Sequence, residues 1–248
     1  MVHRQNVPEA IVIENADRIV AAASAAAAGA DLIILDDAFQ HLRVIRDLDV
    51  VLVSAESLER SRWRLPSGPW REAGSALARA HVGVVTRRRA SPREAALAAR
   101  WMRTCLPRTA AVALAELRIS GFEELRSGRG VDASVLRNAS VLGIAGVGDP
   151  VSFGEQLRTI GARVHLDARR DHYAYSDADA KTLALRGRNV DFLVMTAKDA
   201  AKLRDRWPAD AGEPLVARLE VHWESGGEEL EQALARLGDG SSKNRGNR

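Results

Sequence analysis

The stretch Asp31-Leu-Ile-Ile-Leu-Asp-Asp-Ala-Phe-Gln-His-Leu-Arg43 contains four consecutive apolar residues followed by a polar turn. An unbroken apolar run is typical of a strand buried on both faces, as in a parallel sheet flanked by helices. We therefore predict a central β-strand over residues 32–35. Asp36 and Asp37 follow it directly, at the end of the strand where ligands bind in open α/β sheets.

The two carboxylates allow two interpretations, which the residues alone leave open. They bind a hard cation such as Mg²⁺, or act on a substrate proton, because carboxylate oxygens suit both tasks. Alternatively, they cap the next helix, which is a common role for Asp. Gln40 and His41 add polar groups within a turn of the acids.

The rest of the chain alternates predicted strands with predicted helices, which indicates an α/β fold. Strands are predicted over 10–13, 50–53, 81–86, 163–166, 191–195 and 214–222, with another beginning at residue 140. Helices are predicted over 16–28, 75–80, 91–106, 150–160, 176–186 and 228–237, with another opening at residue 198. Segments 110–117 and 122–126 flank Ser120-Gly121 and predict a β-hairpin. The predicted domains are 1–111, a hairpin linker over 112–138, a second α/β domain over 139–237, and a disordered tail over 238–248.

Composition narrows the class of protein. The chain has 248 residues, a formal net charge of +3 and one cysteine. A single cysteine excludes a disulfide framework and a cysteine-based zinc site, and it suits a reducing cytoplasm. Arginine clusters at 87–89 and 169–170 suit phosphate or an anionic membrane face, or equally a solvated surface. Aromatic residues that could stack on bases are not interleaved with them, so no nucleic-acid partner is expected.

Three further segments hold candidate site residues. The loop over 56–74 contains Trp63, Arg64, Trp70, Arg71 and Glu72, and either grips a ligand or membrane or packs on its own aromatics. In the second half, Asp171-His172 is a candidate acid/base pair or a solvated surface loop. Lys198 either meets phosphate or is an ordinary residue of a first helical turn.

Several separated motifs coincide in order along the chain. They are Asp17-Arg18, Leu35-Asp-Asp-Ala-Phe-Gln-His41 with Arg46-Asp47, Leu65-Pro-Ser-Gly-Pro-Trp-Arg-Glu72, Gly146-Val-Gly-Asp-Pro150, Asp171-His-Tyr173 and Thr196-Ala-Lys-Asp-Ala200. This ordered set resembles the tetraacyldisaccharide 4'-kinase family, the lipid A 4'-kinases of Gram-negative envelope synthesis. The resemblance covers nearly the whole chain except the tail.

The resemblance implies a P-loop-NTPase-like α/β/α sandwich, N-terminally truncated, and a smaller C-terminal α/β domain joined by a β-hairpin. Residues 1–111 would be the remainder of the nucleotide and lipid-substrate domain. The implied reaction transfers the ATP γ-phosphate to the 4'-hydroxyl of tetraacyldisaccharide 1-phosphate, with Mg²⁺. The implied setting is the cytoplasmic face of the inner membrane, with an acylated glucosamine disaccharide as partner.

The resemblance also implies roles for individual side chains. Asp36 and Asp37 would bind the metal, and Asp37, His41 and His172 would act in catalysis. Nucleotide binding would involve Gln40, Arg71, Glu72 and Lys198. The lipid substrate would be bound by Arg18 and Arg71. Phosphoryl transfer agrees with such a set, because it depends on charge neutralisation and alignment.

Departures from the family pattern leave several interpretations of what this chain does. The sequence contains no G-x-x-x-x-G-K-[ST] motif, the loop whose N–H groups and Lys hold phosphates. The family's membrane-contacting N-terminal helix and its Gly-Asp-Glu-Pro segment are also missing, while Ala38, Asp149 and Ala197 replace the usual Gly, Asn and Glu. We expect negligible ATP binding and turnover by this polypeptide alone. It is either a fragment of an ordinary lipid kinase or a degenerate, non-catalytic paralogue that binds an acylated glycolipid or a partner. A Mg²⁺-dependent phosphohydrolase using Asp36 or Asp37 is a third possibility.

Overall fold

The computed structural model describes residues 7, 9–60 and 71–238. The predicted tail beyond residue 238 and the predicted Trp63, Arg64 and Trp70 lie outside these residues. In chain order the elements are α1 (Arg18–Ala27), β1 (Val50–Ser54), α2 (Ala55–Arg60), β2 (Val82–Arg87), α3 (Pro92–Cys105), β3 (Ala111–Glu124), β4 (Gly130–Val131), β5 (Ser140–Ala145), α4 (Pro150–Ile160), β6 (Arg163–Ala168), α5 (Asp177–Gly187), β7 (Phe192–Met195), α6 (Ala197–Leu203), β8 (Leu215–Ser225) and α7 (Gly227–Gly238). Short 3₁₀ helices cover Gly74–Arg79, Ala133–Leu136 and Arg204–Arg206.

The chain divides into two compact units. The described residues of His3–Glu116 and His222–Arg248 form the first unit, and those of Leu117–Val221 form the second. The division falls within strands β3 and β8. The predicted domain ranges over 1–111, 112–138 and 139–237 stay predictions.

In the first unit, β1, β2 and the beginning of β3 run parallel, with Val50 opposite Val82 and Val82 opposite Ala111. Helix α3 begins at a capping box, in which the Ser91 hydroxyl accepts from the Glu94 N–H and the Glu94 carboxylate accepts from the Ser91 N–H. Such a box satisfies N–H groups that the first turn leaves without helical partners. The buried side of α3, with Met102 fully buried, then packs in the same apolar cluster as β2.

In the second unit, β8, β7, β5 and β6 form a parallel sheet. Side chains of β5 alternate between two apolar clusters, because successive residues of a strand point to opposite faces. Val141 packs with Leu157 of α4, whereas Leu142 packs with Leu183 of α5 and with Leu203 of α6. Helices therefore cover both faces, which explains why β5 is an unbroken apolar run.

The predicted strand over 32–35 is wrong. Residues 32–35 form no strand, and Leu32 and Ile34 are 57% and 87% exposed. A strand requires neighbours that pair with its backbone, and no ladder in the described ranges pairs these residues with β1, β2 or β3. The predicted strand over 10–13 is absent for the same reason.

The predicted turn at Ser120-Gly121 is also wrong, because β3 runs without interruption through both residues. Gly121 lies where β4 comes close: a Cβ there would stand 3.3 Å from the carbonyl oxygen of Val131. A glycine inside a strand often marks such a close approach and not a turn. The antiparallel pair is instead β3 with β4, in which Phe122 faces Val131.

The other strands and helices predicted beyond residue 50 are found within a few residues of their predicted ends. None of the helices in the described ranges combines the length and the apolar character that crossing a bilayer would take.

Candidate functional site

The first unit contains a cavity of about 240 Å³ beside β1. Its apolar wall comes from β1 itself, over residues 51–53. Its polar wall includes Gln40, Ser54, Ser57, Arg71 and Glu72. Three of the residues implicated by resemblance in nucleotide binding therefore line one cavity, although they come from two separate motifs.

Asp37 joins this group through an ion pair. Its carboxylate lies 2.9 Å from Nη2 of Arg71, and each side chain is 60% exposed. The backbone of Asp37 has a φ of +50°, an uncommon conformation for a residue with a Cβ. Such conformations cluster at functional sites, where the surrounding structure holds them. The structure therefore pairs Arg71 with Asp37, two residues to which the resemblance assigned roles from separate motifs.

Arg46 holds the turn that carries the acids. Its Nη1 donates to the carbonyl oxygens of His41 at 2.7 Å and Val44 at 3.2 Å. Its Nε donates to Asp49 at 2.6 Å, just before β1 begins. Both charged side chains are mostly buried, at 14% and 13% exposure. The motif Arg46-Asp47 was recognised in the sequence, but nothing in the spacing assigned Arg46 this bracing role.

Arg79 braces the other side of the cavity, and sequence reasoning missed it. Its guanidinium pairs with Glu72 at 2.6 Å and stacks over the Phe39 ring, 4.5 Å from the centroid. Phe39 and Glu72 line the cavity, so Arg79 fixes one wall from behind. Glu72 lies only 7 residues before Arg79, but Phe39 lies 40 residues before it, and no motif in the sequence connects the three residues.

Glu56 anchors the carboxyl end of β1 next to the cavity. Its carboxylate accepts the Ser54 hydroxyl at 2.6 Å and the N–H groups of Arg88, Arg89 and Ala90 at 2.7–3.0 Å. Burial by itself raises the pKa of Glu56, but the hydrogen bonds outweigh it and lower the pKa to about 2. Ser54, a cavity residue, is thereby held in place.

The remaining predicted residues of the first unit do not line the cavity. Asp36 and His41 are exposed neighbours of Asp37 and Gln40, and Arg18 is half-buried and donates to the carbonyl of Asn15. As a candidate metal site, Asp36 and Asp37 offer two carboxylates. Among the described residues, no group of three or more His, Cys, Asp or Glu side chains converges on one point. Two carboxylates suit Mg²⁺, which is usually held by one or two of them together with phosphate oxygens and water.

The second unit carries His172 and Lys198. His172 is 81% exposed and has a φ of +57°. Its Nε2 lies 3.7 Å from Asp171, which is too far for a hydrogen bond, and the Asp171 carboxylate instead accepts the His172 N–H at 3.0 Å. No hydrogen bond therefore joins the two side chains, and their role as an acid/base pair stays a prediction. Lys198 is exposed in the first turn of α6.

Comparisons with known proteins agree on one family. The family model described as tetraacyldisaccharide-1-P 4'-kinase matches residues 1–238. The tetraacyldisaccharide 4'-kinase of Pelobacter propionicus is 33% identical over 220 residues, covering 87% of this chain and 58% of that protein. That of Anaeromyxobacter dehalogenans is 34% identical, covering 84% and 56%. The chain spans about half the length of the curated relatives it matches.

A solved structure supports the fold. LpxK from Aquifex aeolicus, determined in complex with ATP, superposes with a TM-score of 0.53 at 20% identity, over 82% of this chain and 56% of that one. The likeness confirms the predicted P-loop-NTPase-like α/β fold. Because a family model matches almost the whole described chain, and relatives above 30% identity cover most of it, the chain belongs to the tetraacyldisaccharide 4'-kinase family.

Proposed function

We propose that this protein takes part in transferring the γ-phosphate of ATP to the 4'-hydroxyl of tetraacyldisaccharide 1-phosphate. Family membership supports the reaction class. The observation that carries the assignment of the site is the Asp37–Arg71 pair beside the cavity. It brings an acid and a cation from separate motifs to one place, as phosphoryl transfer requires.

Both side chains of the Asp37–Arg71 ion pair are exposed, so each can exchange the other for a ligand. An ion pair in which both side chains are 60% exposed is worth about 0–1 kcal/mol, so a ligand can separate it easily. In the proposed complex, Arg71 turns to a phosphate oxygen. Asp37, with Asp36, would hold Mg²⁺, which neutralises charge on the phosphates. Gln40 and Glu72 complete the nucleotide contacts from the cavity wall.

The other proposed contacts come from outside the cavity. Arg18 contributes to binding of the lipid substrate. His41, in the turn that carries Asp36 and Asp37, assists catalysis. His172 positions or deprotonates the sugar hydroxyl, since imidazole is the side chain that most often serves as a general base. Lys198 contacts phosphate. Because the substrate is acylated, we place the protein at the cytoplasmic face of the inner membrane.

The test measures transfer of radiolabelled phosphate from ATP to tetraacyldisaccharide 1-phosphate. Because the sequence has no Walker A motif, the chain by itself is expected to show negligible transfer. A segment of a full-length family member that contains the Walker A motif, fused ahead of Met1, is expected to produce transfer. In that fusion, Arg71→Ala and Asp37→Asn should each lower kcat/KM by about tenfold or more, since an aligned charge is lost.

Arg206→Ala is the matched control. It also removes an exposed arginine from an ion pair, here with Asp177 at 3.0 Å, and no role is proposed for either residue. It should leave kcat/KM within about twofold. All of these variants should keep the unfolding free energy within about 0.5 kcal/mol. An active fusion that is unaffected by Arg71→Ala and Asp37→Asn would refute the site.

Direct binding supplies a measurement that does not depend on the fusion. Tetraacyldisaccharide 1-phosphate in mixed micelles should bind the chain alone, and Arg71→Ala should weaken that binding more than Arg206→Ala does. If neither variant changes the binding, Arg71 does not contact the lipid substrate.

A further inference from the structure

Asp199 has a fully buried carboxylate at the start of α6 in the second unit. It accepts hydrogen bonds from the Gly146 N–H at 3.0 and 3.1 Å, the Tyr175 hydroxyl at 2.9 Å and the Thr196 hydroxyl at 2.6 Å. A buried charge is tolerated only when donors of this kind surround it. Asp199 belongs to the Thr196–Ala200 motif, whose spacing assigned it no role.

The donors come from the carboxyl ends of three neighbouring strands. Gly146 directly follows β5, Tyr175 ends the loop after β6, and Thr196 directly follows β7. The fit is close, since a Cβ on Gly146 would lie 2.8 Å from Asp199 Oδ1 and 3.2 Å from the Tyr175 hydroxyl. One carboxylate therefore joins the three loops at this edge of the sheet.

Tyr175 is a dependable donor in this arrangement. Burial, and then the negative charge of Asp199, raise the pKa of the Tyr175 hydroxyl, so the proton stays on the phenol. Only 5% of Tyr175 is exposed. Its position is thus fixed by packing and by a charge-assisted hydrogen bond together.

The loop between β6 and α5 carries His172, three residues before Tyr175. Tyr173 packs edge-on against Tyr175, with ring centroids 5.0 Å apart, and Lys202 of α6 donates to the Tyr173 carbonyl at 3.1 Å. The Arg169 guanidinium lies over the Tyr173 ring, 5.2 Å from its centroid. The loop is held at both tyrosines by α6, whereas His172 itself projects outward and is 81% exposed.

We propose that Asp199 is a positioning residue that acts on His172 through Tyr175. It does not touch the reacting groups; it holds the loop so that the imidazole stays in one place despite its exposure and its φ of +57°. This inference rests on the proposed function for its consequence in catalysis. The positioning itself is a property of the chain and is measurable without catalysis.

The first experiment measures amide hydrogen exchange in the chain as it is. The His172 and Tyr173 N–H groups are bonded within the loop, to Asp171 and to the Arg170 carbonyl, so their exchange reports its order. Tyr175→Phe, which removes only the hydroxyl, should accelerate both by about tenfold or more. Asp199→Asn should act in the same direction.

Trp207→Phe is the matched control. It also removes one hydrogen bond from a buried aromatic side chain of the same apolar cluster, between Trp207 Nε1 and the Gly212 carbonyl. It should leave exchange at His172 and Tyr173 unchanged. Unchanged exchange in folded Tyr175→Phe protein would overturn the proposal, even if Asp199→Asn failed to fold.

The second experiment is a double-mutant cycle in the active fusion, with His172→Ala as the other change. If Tyr175 acts through His172, Tyr175→Phe lowers kcat in the parent and has no further effect in the His172→Ala background. A general loss of structure would lower kcat in both. If His172→Ala alone has no effect, the proposed role of His172 fails, while the exchange result still decides the positioning.

Discussion

At the scale of single residues, two of the proposed site residues share an uncommon backbone conformation. Asp37 and His172 both have positive φ, and the only other non-glycine residue with this conformation in the described ranges is Asn138. Asn, Asp and His are the residues with a Cβ that most often adopt it. The family resemblance implicates Asp37 and His172 independently of this conformation.

Glu56→Gln tests how much the buried Glu56 carboxylate contributes to the stability of the protein. The pKa of Glu56 is lowered from 4.5 to about 2 in the folded protein. Because the pKa is lower in the folded protein than in the unfolded chain, the ionised carboxylate stabilises the fold at pH values above about 4.5. This stabilisation is lost as the pH falls from about 4.5 toward 2. Glu56→Gln should therefore cost about 2–3 kcal/mol in urea unfolding at pH 7 and less at pH 3.

Glu155→Gln is the comparison for Glu56. Its ion pair with Arg158 is half exposed, with side chains 50% and 44% accessible, so the change should cost less than about 0.5 kcal/mol. A Glu56→Gln cost that stays constant between pH 7 and pH 3 would show that the carboxylate charge does not supply the stabilisation.

At the scale of elements, the turn from β8 into α7 depends on one glycine. Gly226 has a φ of +72°, and a Cβ there would stand 2.6 Å from the Val112 carbonyl oxygen and 2.7 Å from the Ala113 Cα. Both are backbone atoms of β3, which cannot move aside as a flexible side chain can. The same end of β8 carries Glu224, which pairs with Arg87 of β2 at 2.5 Å.

We therefore expect Gly226→Ala to lower the unfolding free energy by about 2 kcal/mol or more, through strain at positive φ and displacement of β3. Gly130→Ala in β4 meets nothing within 4 Å and should change stability by less than about 1 kcal/mol. Thermal or urea unfolding of both variants checks the difference. Equal effects would mean that β3 adjusts to the added methyl group.

At the scale of the whole molecule, each unit has its own apolar clusters. Leu157 is fully buried in the second unit and Met102 is fully buried in the first. Strands β3 and β8 nevertheless belong to both units, so the chain is not divided by a linker at one point. Local opening in one unit is the expected response to a cavity in its core.

Leu157→Ala should cost about 2–5 kcal/mol and accelerate amide exchange in β5 and β6 by about 30-fold or more, with a smaller change in β1 and β2. Met102→Ala should show the opposite distribution. Exchange measured by mass spectrometry on both variants provides the comparison. Uniform acceleration in both variants would show that the two units open as one cooperative block.

The sequence by itself determined the features that depend on neighbours in the chain. The helices predicted over 91–106 and 176–186 begin within a residue of their predicted starts, because the capping boxes found at Ser91 and Ser176 join residues only three apart. The strand predicted to begin at residue 140 and the helix predicted over 150–160 are both found, as β5 and α4. The ordered motifs identified the family, which the comparisons confirmed.

Only the tertiary structure decided what depends on partners far along the chain. Residues 32–35 have the composition of a strand but lack a pairing neighbour in the described ranges, and β3 continues through a Ser-Gly pair because β4 lies alongside it. The stacking of Arg79 on Phe39, and the carboxylate of Asp199 that joins three loops, follow the same rule. Pairing and charge compensation are set by distance in space, which a one-dimensional pattern does not contain.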